Sequence, residues 1–129
     1  MVQNQTEVLV KDNSGVLKGR CINSGKQHAS VGSRIKIAVL KAKATIKQKS
    51  SKRNALQDLL LVQTKKAIMR NDGSTIRFNG NKGVCVSTGS QAKLQLGFKR
   101  INTAVAIELR KLHKVGASLN LMKLAKNIM

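Results

Sequence analysis

Along the first part of the chain, apolar and polar side chains alternate with a period of two, and that period predicts strands. Val8 and Val10 face one way and Leu9 the other. After the turn cluster Asp12-Asn13-Ser14-Gly15, Leu17 and Cys21 alternate with Lys18 and Arg20, which reads as a hairpin with a cationic outer face. Ile35, Ile37 and Val39 alternate with Arg34 and Lys36 in the same sense, whereas the continuous run Leu59-Leu60-Leu61-Val62 predicts a strand buried on both sides. Asn71-Asp72-Gly73-Ser74 is a turn signal, after which Ile76 and Phe78 alternate with Arg77. A second turn at Asn79-Gly80-Asn81-Lys82-Gly83 leads into Val84-Cys85-Val86. Short strands separated by Gly and Asn turns predict a mainly β fold, an antiparallel barrel or sandwich. A barrel also removes the open edges that invite aggregation.

The last quarter changes period. Val105, Leu109 and Leu112 fall at helical spacing, with Asn102 or Thr103 available as the cap and Gly116 as the terminator. Lys111, His113 and Lys114 would then sit in the last turn, where cations suit the helix dipole. Ser118 to Met129 reads equally as a short helix or a strand. The expected organisation is one domain over 1–129, with a barrel over about 1–98 and a helical part over about 102–129.

A chain of 129 residues can bury enough surface to fold without metal or disulfide support, and 41% apolar residues is ordinary for a globular domain. The charge is not ordinary. Twenty-five Lys and Arg face five acids, a net charge of +20. Such a chain repels itself unless a polyanion neutralises it, and nucleic acid gains affinity from any dense basic surface by counterion release. The acids stand at Glu7, Asp12, Asp58, Asp72 and Glu108, with eleven cations and no carboxylate between Asp12 and Asp58. Lys41, Lys43, Lys47, Lys49, Lys52 and Arg53 crowd a stretch without strong turn residues, which reads as a basic hairpin or arm protruding from the barrel. No apolar run is long enough to cross a bilayer as a helix, so no membrane role is expected.

Enzyme chemistry finds no foothold. There is no phosphate-binding glycine loop, no HExxH and no CxxC, and the acids do not cluster as metal-assisted catalysis requires. Cys21 and Cys85 have no metal-ligand spacing and lie among apolar residues, as reduced core thiols do. His28, in the loop through Gly25, Lys26 and Gln27, reads as a plain loop histidine, and His113 is remote from it. Asp12 and Asp72 suit turn starts, and Glu108 is placed to pair near Lys111. No catalytic residue, metal site or cofactor is expected. Phe78 and Phe98 are the only aromatics, so base stacking is largely unavailable, leaving phosphate contact and shape recognition of folded RNA. A histone-like, non-specific nucleic-acid-binding protein is the alternative. It would use a helix in a groove or an apolar wedge, and neither is visible.

Several segments resemble, in order, the universal large-subunit ribosomal protein family number fourteen. They are Gln3-x-Gln5-Thr6, Asp12-Asn13-Ser14-Gly15, Cys21-Ile22, Val31-Gly32 and Lys36-Ile37. The densest match is Thr64-Lys65-Lys66, Arg70, Asp72-Gly73-Ser74, Ile76-Arg77-Phe78 and Gly80-Asn81, ending with Glu108-Leu109-Arg110. The resemblance implies a small closed five-stranded antiparallel barrel with a protruding basic hairpin and short C-terminal helices. It implies a structural constituent of the large ribosomal subunit that binds large-subunit ribosomal RNA and helps bridge to small-subunit ribosomal RNA. Implied protein partners are neighbouring large-subunit proteins, the nineteenth family foremost, and a ribosomal silencing factor. Lys36, Lys43, Lys47, Lys49, Lys52, Arg53, Lys65, Lys66, Arg70 and Arg77 are the RNA-binding candidates, and Lys99, Arg100 and Lys114 the subunit-interface candidates. The chain departs from the family in a longer arm without its prolines, a shorter loop at His28, Ala104 in place of a proline, and a divergent C-terminus.

The absence of Pro and Trp, beside abundant Lys and Asn, suggests an AT-rich organellar genome. Without an import signal, the expected location is the ribosome of the mitochondrial matrix, with a plastid or bacterial cytoplasm as alternatives.

Overall fold

The alternating segments form the staves of a barrel in the computed structural model, which describes residues 1–25, 27–43, 56–88, 94–96, 100–110 and 118–129. The staves are β1 (Glu7–Val10), β2 (Val16–Asn23), β3 (Arg34–Ala42) and β4 (Leu56–Gln63). A small hairpin follows, β5 (Ile68–Met69) with β6 (Thr75–Ile76), and then the last stave, β7 (Lys82–Thr88). Neighbouring staves pair antiparallel in the order β1-β2-β3-β4-β7. The closed five-stranded barrel is as expected, but it is mixed and not antiparallel throughout, because it closes where β7 meets β1 in parallel, Leu9 opposite Lys82 and Val10 opposite Gly83. Outside it, β8 (Leu94–Leu96) extends β7, and β9 (Ile101–Val105) pairs in parallel with β10 (Ala125–Ile128).

The pleat explains the interior. Val8 and Val10 on β1 and Ile35, Ile37 and Val39 on β3 point inward, joined by Cys21, Leu59, Leu61 and Cys85. Burying each such aliphatic side chain contributes about 1.5–3 kcal/mol, which opposes the self-repulsion of the basic surface. The apolar run on β4 is buried on both faces, as expected: Leu59 and Leu61 face the barrel, while Leu60 and Val62 join a second cluster with Val84, Val86, Ile101, Val105, Leu109 and Leu121. The C-terminal segments supply that second cover. Gly19 and Gly83 face inward where two staves approach closely: a Cβ on Gly19 would sit 2.5 Å from Ile37 Cδ1, and one on Gly83 would sit 2.9 Å from the Leu60 carbonyl oxygen.

Two further sequence expectations are corrected here. Leu17 is not an inward residue; it is exposed, because irregularities in the β2–β3 register between Val16 and Gly19 turn Val16, Gly19 and Cys21 to the interior. No helix starts at Asn102 or Thr103. Ile101 to Val105 is a strand, favoured by the alternation of the β-branched Ile101, Thr103 and Val105, and the Asn102 N–H donates to Lys11 O rather than heading a helix. A short 3₁₀ turn over 107–110 follows. The C-terminal stretch is both things the sequence left open, a helix Ser118–Leu124 and then β10. Leu112, the last-turn cations and Gly116 lie outside the described residues.

Candidate nucleic-acid interface

The connection from β4 to β7 carries the densest group of described candidates. Thr64 is buried and its hydroxyl donates to Lys66 O at 3.3 Å, folding a tight turn that exposes Lys65 and Lys66. Asn81 pins this turn to the seam of the barrel. Its Oδ1 accepts the Lys65 N–H at 2.9 Å, while its carbonyl accepts the Leu9 N–H at 3.0 Å. The turn after β5 is held by Asp72, whose Oδ1 accepts from Ser74 N and from Ser74 Oγ. Those bonds keep the Asp72 carboxyl below the usual carboxylate range. Gly73 takes a φ of 82°, the left-handed conformation that glycine adopts without strain. Arg77 follows β6 and is exposed, while Phe78 is buried beneath it.

Arg70 differs from its neighbours. Its Nε donates to Glu108 Oε1 at 2.5 Å, tying the β5–β6 hairpin to the turn at 107–110 and raising the guanidinium pKa. The expected pairing of Glu108 near Lys111 is thus replaced by a tertiary ion pair. No local spacing pointed to a partner 38 residues away.

The other acids are also engaged. Glu7 on β1 faces Lys18 at 2.5 Å and Arg20 at 3.9 Å across the β1–β2 pair, and the Lys18 hydrogen bond lowers the Glu7 pKa. Asp58 on β4 pairs with Arg34 on β3. Asp12 is buried: Oδ1 accepts from Ser14 N at 2.8 Å and Oδ2 from Cys85 N at 2.6 Å. Among the described residues, Lys36, Lys43, Lys65, Lys66, Arg77 and Arg100 make no ion pair and are exposed. Their field is therefore open to an external anion.

These cations do not form one patch. Leu60 on β4 pairs with Arg34, and Leu56 with Ala38, so β4 ends beside the beginning of β3. Lys65 and Lys66 continue from that end, whereas Lys43 follows the far end of β3, its N–H on Gly15 O. The nine residues of β3 separate the two ends by about 30 Å. Lys36 lies on the outer face between them, and Arg100 stands at the start of β9, beside Lys11 and Asp12. Lys47, Lys49, Lys52, Arg53, Lys99 and Lys114 lie outside the described residues. Among the described residues, no group of His, Cys, Asp and Glu could hold a metal ion. The role of Asn81 was missed: the residue reads as turn composition, and only the β4–β7 pairing, with Gln63 opposite Lys82, brings it to Lys65.

The described part of the chain is a small barrel whose acids are held in internal ion pairs or hydrogen bonds, with unpaired cations on its surface. The chain matches the family model described as Ribosomal protein L14p/L23e over residues 1–128, and it belongs to that family. It is a structural, non-enzymatic protein of the large ribosomal subunit.

Proposed function

We propose that the chain binds ribosomal RNA through two cationic regions at opposite ends of the β3–β4 pair, the first of them on large-subunit RNA. The supporting observation is the Lys65–Lys66 turn, held by Thr64 and Asn81 and free of any described carboxylate partner. Lys36 and Arg77 extend this contact, with Arg70 holding the turn that presents it. Lys43 begins the second region and leads into the segment with Lys47, Lys49, Lys52 and Arg53. In this reading that segment, with Lys99, Arg100 and Lys114, reaches small-subunit ribosomal RNA and forms a bridge. Family membership supports a protein neighbour of the nineteenth large-subunit family and a docking silencing factor as further partners. Composition supports a mitochondrial ribosome.

The test is binding of the full chain to large-subunit ribosomal RNA at several salt concentrations. Lys65→Ala with Lys66→Ala should weaken binding and flatten the logarithmic salt slope by about one unit for each phosphate no longer neutralised. An unchanged slope would remove these residues from the interface. Equal affinity for duplex DNA at every salt concentration would favour the histone-like reading instead.

A further inference from the structure

The β5–β6 hairpin and the turn at 107–110 enclose a cleft of about 450 Å³, walled by Met69 and Asp72 on one side and Ile107 and Arg110 on the other. The Arg70–Glu108 ion pair joins the two sides. Met69 is 80% exposed and Ile107 41%, so two large apolar side chains stand in water at one place. Among the described residues that line the cleft the charges cancel, Arg70 and Arg110 against Asp72 and Glu108, on a chain whose net charge is +20. This is a poor seat for phosphate, which would meet two carboxylates and lose water to apolar walls. It suits another cationic protein better, because its two carboxylates offset the two described cations instead of adding to the positive field.

We propose that this cleft docks a segment of a second basic protein of the large subunit, in which an apolar side chain lies beside a Lys or Arg. The apolar side chain fills the space between Met69 and Ile107, and the cation meets Asp72. Both Ser74 bonds to Asp72 fall on Oδ1, so neither of them occupies Oδ2. A partner so bound shares the RNA scaffold with this chain, so the inference rests on the RNA-binding reading above and assigns the cleft to protein rather than to RNA.

The experiment places a photoreactive group by Met69→benzoylphenylalanine in the full chain, assembles it into large subunits, irradiates them, and maps the products after nuclease and protease digestion. Met69 is so exposed that the substitution leaves the fold intact. The expected product is a cross-link to one protein segment carrying an apolar residue next to Lys or Arg. Asp72→Asn, which keeps the acceptor for Ser74, should lower its yield by about two- to fivefold, the range of an exposed ion pair. Cross-links to ribosomal RNA, no protein product from subunits that contain the chain, or a yield indifferent to Asp72→Asn would each overturn the cleft assignment. Failure of the chain to enter large subunits would instead overturn the RNA-binding reading together with the cleft.

Discussion

The Asp12 carboxylate and the Cys85 backbone are joined across 73 residues, Oδ2 accepting the Cys85 N–H at 2.6 Å inside the molecule. Through Asp12 the first turn of the chain is tied to the last stave, close to the parallel seam that closes the barrel. Asp12→Ala would leave the buried N–H of Cys85 and the partly buried N–H of Ser14 without that acceptor. The expected loss is about 1–3 kcal/mol. Asp12→Asn keeps an acceptor oxygen and should cost less. Urea denaturation of the two variants checks the order, and equal loss in both would mean that the carboxylate charge, not the bond, matters.

Gly83 lies on the same seam, opposite Val10 on one side and Leu61 on the other. An added Cβ would overlap Leu59 Cδ2, with Leu59 Cγ at 2.6 Å and the Leu60 carbonyl oxygen at 2.9 Å. A side chain can yield, but the carbonyl belongs to a paired strand. Gly83→Ala is therefore expected to destabilise by about 1–3 kcal/mol, the range of overpacking in a well-packed core. Thermal unfolding at fixed ionic strength reads this directly. An unchanged melting temperature would mean that β4 and β7 can separate at this point at no cost.

The Arg70–Glu108 bond separates two kinds of cation in the β4–β7 connection. Arg70→Ala and Glu108→Gln should both lower the melting temperature, and the double variant should fall short of their sum, since both remove one bond. Lys65→Ala removes an exposed side chain and should change stability by no more than about 0.5 kcal/mol, while altering the salt dependence of RNA binding. If Arg70→Ala instead leaves stability alone and flattens the salt slope, Arg70 acts on phosphate and not on the fold.

How far this was legible in the sequence depends on range. The inward faces of β1 and β3 follow from the pleat, since each residue's facing is set by its neighbour two positions away. Leu17 misled because an irregular register shifts the face of a strand, and that is decided by β3. Val105 and Leu109 misled because their spacing suits a helix, while Ile101, Thr103 and Val105 suit a strand equally; contact with β10 decides between them. The basic character of the candidate interface was plain from charge and from the family resemblance. Its division into two ends was not, because only strand order shows that Lys43 and Lys65 leave the barrel far apart. The balanced cleft was also invisible, since it depends on residues 69 to 72 meeting 107 to 110.

Cys21 and Cys85 are free, buried thiols, and burial raises the pKa of both. Cys85 is pushed up to about 12, by burial first and then by the nearby Asp12 carboxylate. A folded-state pKa above the unfolded value contributes stability that is complete below the ordinary thiol range, about 8.5. That contribution is lost as pH rises from there through the folded value near 12. Stability should therefore be insensitive to these thiols at neutral pH and decline on the alkaline side, and Cys85→Ala should make that decline shallower. The native protein should also resist a thiol-reactive aromatic disulfide in mildly alkaline buffer, with both thiols reacting once denaturant is added. Rapid reaction of Cys85 in the native state would show that the Asp12–Cys85 contact opens far more readily than its buried geometry implies.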